Sequence, residues 1–243
     1  MKFLCLHGMG TSSAILKAQL APVLSCLRRS GHQFVFVNGT VDCKPGKGMY
    51  AKKGDSIRVG RSLDALPYLP RSVTDIDLYF SGPYRCFHDR PDTVQMQAAV
   101  ANISKTIARE GPFDGIIGFS QGAALAASLI IAAAKNNMYD NLFELAVFIG
   151  SPLPYELVEC ESGDGWTAKI CSKRTTSINI PSIHVMGEQD DFFSDGQQLV
   201  EICTAQTRVI VHGEGHVIPR TPAFTAKLVG AVAALVEDIE NMA

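Results

Sequence analysis

The 243-residue chain has no surplus of positive charge: 22 lysines and arginines stand against 24 aspartates and glutamates, a formal net charge of −2. That argues against nucleic acid as the main partner, because phosphate binding wants a basic surface. Long apolar runs are missing too; the stretch 127–134 is too short to cross a bilayer and continues a helical pattern, so no membrane association is expected. Between Lys2 and His7 only four apolar residues occur, too few for the core of a secretory signal. The seven cysteines are odd in number and show no paired or CxxC spacing. Neither a disulfide framework nor a zinc site is expected from them. They read as reduced, mostly buried thiols of a cytoplasmic protein. Internal repeats and low-complexity linkers are absent as well, which leaves a single domain, 1–243, as the default for this length.

What the chain does have is apolar material: 47% of its residues are hydrophobic, enough for a substantial core. Short runs rich in valine, isoleucine and phenylalanine recur at 3–6, 34–37, 115–118, 145–149, 183–186 and 208–211. Each is nearly continuous rather than alternating, the pattern of strands buried on both faces of a parallel sheet. Helical stretches occupy 13–30, 93–110, 123–135, 195–204 and 221–241. Alternation of strand and helix predicts a doubly wound α/β fold. The segments 39–91 and 151–181, rich in glycine, proline and charge, interrupt it. Loops above the strand ends of such a sheet hold the ligand, so these two are the expected specificity regions.

Residues 114–128 read DGIIGFSQGAALAAS. Strand gives way to helix with no loop, and Ser120 stands at the turn with Gly118 and Gly122 two places to either side. The five residues fit G-x-S-x-G, the nucleophile elbow, in the context that motif needs: strand before, helix after. So sharp a turn forces the serine into a strained backbone conformation. Side chains two places away would collide with the neighbouring strand and helix. The turn lifts the hydroxyl above the sheet, beside the positive end of the helix. An ordinary glycine-rich strand-to-helix turn is the plainer alternative.

A serine hydroxyl is a poor nucleophile until a base takes its proton, and the base needs an orienting carboxylate. On this fold the partners follow in the order Ser, Asp or Glu, His, each after a late strand. IHVMGEQDDFFSD supplies the acid, as Asp190 or Asp191 behind the turn at Gly187. RVIVHGEGHVIPR supplies the base, His216, behind a glycine loop. His212 and His216 also have the four-residue spacing of a metal pair, but two glycines and no helix lie between them, and no metal is expected. An oxyanion hole needs two backbone N–H groups. One is expected from Gln121, the residue after the nucleophile, and the other from Met9 in the loop LHGMGTSS after the first strand. His7 in that loop reads as a buttress rather than a second base.

CLHGMG (5–10), GPFDGIIGFSQGAALAA (111–127), IPSIHVMGEQD (180–190) and HGEGHVIP (212–219) together resemble the fungal family of serine hydrolases, the FSH group. GPY at Gly82–Tyr84 fits it as well, and the resemblance covers nearly the whole chain. It implies a compact α/β-hydrolase fold without the usual first two strands and without a separate cap domain. The implied sheet has about six parallel strands in the order 2-1-3-4-5-6. The resemblance assigns Ser120 as nucleophile, Asp190 as acid through the G-x-x-D spacing from Gly187, and His216 as base. Asp191 and the following Phe192-Phe193 depart from the family's pattern.

It further implies an esterase or thioesterase that works through an acyl-serine intermediate without a cofactor, on a small acyl ester or thioester. Relatives in secondary metabolism release a polyketide-type chain from a carrier domain. General carboxylesterase action, acyl transfer on the same fold, or binding without catalysis are the other outcomes. The long loops carry many apolar side chains (Met49, Tyr50, Leu66, Tyr68, Leu69, Phe80, Phe87, Trp166), suited to an acyl pocket or to a secondary core. Segment 44–61 holds Lys44, Lys47, Lys52, Lys53, Arg58 and Arg61 against Asp55 alone, a local positive excess that would steer an acidic acyl carrier domain.

Overall fold

The computed structural model describes residues 1–46, 80–90, 92–136, 142–159, 166–171 and 176–241. Six strands form the central sheet: β1 (Lys2–Leu6), β2 (Gln33–Val37), β5 (Gly115–Phe119), β6 (Leu145–Ile149), β9 (Ser182–Gly187) and β10 (Thr207–His212). They run in the order β2-β1-β5-β6-β9-β10, every pair parallel. Counted among themselves, that is 2-1-3-4-5-6. The continuous apolar runs explain the arrangement: β5, β6 and β9 are buried at every residue, whereas the edge strands β2 and β10 are partly exposed.

Side chains alternate across the sheet, and helices cover both faces. From β1, Phe3 and Cys5 join a core with Leu16, Leu24, Leu228 and Leu235. These come from α1 (Ser13–Gln19), α2 (Ala21–Arg29) and α6 (Pro222–Glu240). Leu4 and Leu6 point the other way, into a core with Met96, Ile103, Leu125 and Leu199. Those belong to α3 (Thr93–Glu110), α4 (Gln121–Asn136) and α5 (Phe193–Ile202). Side chains close the helix starts: Ser12 Oγ accepts from Ile15 N–H, Asp92 Oδ1 from Gln95 N–H and Thr221 Oγ1 from Phe224 N–H.

One expected helix is broken. The run 13–30 forms α1 and α2 with Leu20 between them, because Pro22 has no N–H to give the carbonyl four residues earlier and suits the first turn of a new helix. The two segments read as loops each contribute to a small antiparallel pair: β3 (Val41–Asp42) with β4 (Arg85–Cys86), and β7 (Tyr155–Glu159) with β8 (Trp166–Ile170). Of the apolar loop side chains, Phe80 packs against the first core and Phe87 is buried in the second. Met49, Tyr50, Leu66, Tyr68, Leu69 and the Trp166 side chain lie outside the described residues, as do Lys47, Lys52, Lys53, Asp55, Arg58 and Arg61; Lys44 is exposed. Six described cysteines are free thiols, but only Cys5, Cys86 and Cys171 are buried, fewer than expected. Among the described residues no helix is long and apolar enough to cross a membrane.

Chain order matters for function at one place. From β1 the chain moves outward to β2, then crosses back to β5 on the other side of β1. Crevices in open α/β sheets lie at such a reversal, above the carboxyl ends of the strands. Here that end brings Leu6 beside Gly118, so the loop after β1 lies next to the turn at Ser120.

His184 shows what the dense core imposes on a polar group. The residue is 1% exposed, its ring 5.2 Å from that of Phe148 and its Nε2 3.1 Å from Ser182 Oγ. Burial pushes its pKa down from 6.5 to about 4. Between those values the unfolded chain binds a proton that the folded chain refuses, so stability should fall as pH drops from 6.5 toward 4. In His184→Leu, urea midpoints measured across that window should show a pH slope shallower by about one proton, roughly 1.4 kcal/mol per pH unit. An unchanged slope would mean that His184 does not contribute.

Candidate active site

The elbow is made by two glycines pressed against different elements. A Cβ on Gly118 would lie 2.4 Å from Ala123 Cα in α4, and one on Gly122 would lie 2.3 Å from the carbonyl oxygen of Leu6 in β1. With both absent, β5 and α4 meet with Ser120 alone between them. Ser120 has φ +54°, the only non-glycine residue at positive φ among those described. Such a conformation costs on the order of 1–3 kcal/mol and persists only where the surroundings enforce it. Here the Ser120 N–H donates to Ile149 O at 2.9 Å, and its carbonyl accepts from the N–H groups of Ala123 and Ala124 at 2.9 and 3.1 Å.

Two further strand ends converge on this serine. His216, in the loop after β10, places Nε2 2.8 Å from Ser120 Oγ and Nδ1 2.8 Å from Asp190 Oδ2. Asp190, three residues beyond the close of β9, has a side chain only 2% exposed, and its other oxygen accepts from the Phe192 N–H at 2.9 Å. Asp191 is exposed and makes no hydrogen bond among the described residues. His216 is held on two sides by rings, Phe119 stacked at 5.0 Å and Phe192 edge-on at 5.3 Å. A hydroxyl, imidazole and buried carboxylate in this chain can move a proton off the serine and hold the resulting imidazolium in place. The partner spaced like a metal ligand is engaged elsewhere: His212 Nδ1 accepts from the Glu214 N–H at 3.3 Å.

Of the two amides expected to bind an oxyanion, that of Gln121 follows Ser120 directly, and that of Met9 follows Gly8, whose Cβ position lies 3.2 Å from Ser120 Cβ. Among the described residues neither Met9 N–H nor Gln121 N–H has an acceptor, and Gln121 opens α4, where such donors are left over by helix geometry. Met9 is 42% exposed. Its loop is stiffened from below by His7, which is fully buried. His7 Nδ1–H donates to Gly8 O at 2.7 Å and Nε2 accepts from Gly39 N–H at 2.9 Å. Burial pushes His7 down to about 4, so it is neutral at pH 7, with both nitrogens committed. It is a buttress.

Sequence reasoning missed two groups. The Gln121 side chain is hydrogen-bonded to the backbone of Phe87 and His88. Nothing in GFSQG distinguishes that from a solvated glutamine. Gly150, just past β6 at φ +52°, leaves its Cβ position 3.2 Å from both Asp190 Oδ2 and His216 Nδ1. A glycine closing the strand that pairs with β5 was the available signal.

The family model for serine hydrolases of the FSH1 type matches residues 1–228. This chain belongs to the FSH1 serine hydrolase family. Among its relatives are esterase FPY3 of Fusarium mangiferae, 31% identical over 93% of this chain and 91% of that one, and thioesterase FSL2 of Gibberella zeae, 26% identical over 89% and 84%. The solved structure of ClbQ from the colibactin NRPS/PKS pathway superposes with a TM-score of 0.53 at 15% identity, over 100% of this FSH1-family chain and 99% of ClbQ, a likeness of fold. The architecture is that of α/β hydrolases, and the chain is a serine hydrolase.

Gly150→Ala tests how tightly the proton chain is packed. The added methyl would meet the Asp190–His216 pair at 3.2 Å in a left-handed backbone. Stability should drop by about 1–2 kcal/mol, and kcat by at least about tenfold with little change in KM. Wild-type kcat in this variant would show that the pair has room to shift without cost.

Proposed function

We propose that Ser120 is the acylated nucleophile, His216 its general base and acid, and Asp190 the carboxylate that orients His216. The observation that carries this is the continuous chain from Ser120 Oγ through His216 to Asp190, two contacts of 2.8 Å each, mounted on three strand ends. Ser120 Oγ attacks the acyl carbon while His216 Nε2 takes its proton. The oxyanion that forms is met by the N–H groups of Met9 and Gln121. His216 then returns the proton to the departing alcohol or thiol. Water repeats the sequence on the acyl-serine, freeing the acid and restoring Ser120.

Ser120→Ala should lower turnover on the order of 10⁴-fold or more and end labelling by fluorophosphonates, with the fold unchanged by circular dichroism. Labelling that survives would put the nucleophile elsewhere. Asp190→Asn should cost several orders of magnitude by setting the wrong His216 tautomer, and Asp191→Asn less than about tenfold. Swapped effects would move the acid one residue along.

The finer reading is a thioesterase that frees a polyketide-type acyl chain from a carrier domain. Supporting it are a thioesterase among the relatives, the family resemblance, and the six cations between Lys44 and Arg61 against one acid. An acidic carrier bearing its phosphorylated arm would be steered to that segment, chiefly through the on-rate. Lys52→Glu with Lys53→Glu should therefore slow turnover of a carrier-bound thioester several-fold, and added salt should shrink the loss. Turnover of a small neutral ester should stay the same. Equal effects on both substrates, or none on either, would defeat the carrier reading and leave general esterase action.

A further inference from the structure

Gln121 opens α4 with a side chain in a residue only 7% exposed. A buried carboxamide needs an acceptor and a donor together. Gln121 finds both on one stretch of backbone: Oε1 accepts from the Phe87 N–H at 2.8 Å, and Nε2 donates to the His88 carbonyl at 2.6 Å. The chain just before Phe87 is pinned in turn to the loop after β1. Arg85 N–H donates to Thr11 O at 2.7 Å, and Arg85 O accepts from Gly10 N–H at 3.1 Å. Gly10 is the residue after Met9. Hydrogen bonds therefore run from the Gln121 side chain, through 85–88, to the neighbour of Met9.

The two oxyanion donors sit on pieces of chain far apart in sequence. Gly8 seats the loop on the elbow by contact alone, its Cβ position 3.2 Å from Ser120 Cβ and from the Phe119 ring. A van der Waals contact stops approach but does little against sliding. The directional bonds supply that restraint. We propose that the Gln121 carboxamide is the positioning group of the oxyanion hole, joining its two N–H donors through 85–88 so that their spacing is set before substrate arrives. This rests on Ser120 as nucleophile and on Met9 and Gln121 as the donors.

Preorganised donors act on charge that develops in the transition state, and a neutral carbonyl in the bound ester gains less from them. Loosening the clamp should therefore reduce kcat and spare KM. Gln121→Leu removes both side-chain bonds at similar size; Gln121→Glu keeps the acceptor for Phe87 N–H and loses the donor to His88. Exhaustive fluorophosphonate labelling counts the folded, reactive serines in each. Per labelled site, kcat should fall on the order of 10²-fold in Gln121→Leu, the scale of an oxyanion donor lost or displaced, with KM within about threefold. A trifluoromethyl ketone supplies the second readout. Ser120 Oγ adds to its carbonyl carbon, the hydroxyl proton passes to His216, and the new alkoxide occupies the hole. Its inhibition constant should rise in parallel with the loss of kcat/KM in both variants. Wild-type kcat per site in Gln121→Leu, or reduced kcat with an unaltered ketone constant, overturns the proposal. If Gln121→Leu yields no labelled sites, the same two readouts on Gln121→Glu decide. Fluorophosphonate labelling that survives in Ser120→Ala would strike the nucleophile reading instead, whatever the Gln121 variants do.

Discussion

Everything at this site depends on a close approach of backbone to backbone. Gly122 lies so near the last carbonyl of β1, and Gly118 so near the first turn of α4, that no side chain fits at either position. That double contact lets helix and strand join through a single residue, and the residue left at the corner must take a left-handed conformation. Strain of this kind is held by the two elements it joins, each buried in a core on its own account. The hydroxyl is thereby carried on rigid structure rather than on a loop.

The groups that meet the hydroxyl are held by different physics. Asp190 is buried and fully engaged, with one oxygen on His216 and the other on a backbone amide, as a desolvated carboxylate requires. His216 sits on a glycine-bearing loop and takes its orientation from Asp190 and from two aromatic faces. Phe192 thus packs edge-on against the His216 ring, although in the sequence it appeared only as a departure from the family's pattern. His7, by contrast, is neutral and spent on backbone partners, which keeps a second titratable ring near the site from competing for the proton.

The strands were legible because they are nearly continuous apolar runs, and a strand buried on both faces allows little else; their order came from the resemblance to the family alone. The long helices were legible from their periodicity. The break at Leu20 was missed because Pro22 suits the start of a helix as well as it ends one, and apolar spacing continues across it. The small antiparallel pairs within 39–91 and 151–181 escaped because strands of two to five residues leave no periodic signal in segments dominated by glycine, proline and charge.

Local sequence determined the elbow, since its glycines, serine and flanking elements lie within a few residues and their steric demands act at that range. It also determined the family, whose motifs are short and contiguous. The family's spacing pointed to Asp190 over Asp191, but the contact with His216 is decided only by the tertiary structure, for the direction of a side chain after a strand depends on the turn that Gly187 and the neighbouring 214–215 backbone impose on it. The same holds for Gly150 against the Asp190–His216 pair and for the Gln121 carboxamide against 87–88. These are contacts between segments far apart in the chain, and residue type alone carries no record of which backbone a buried polar group will find.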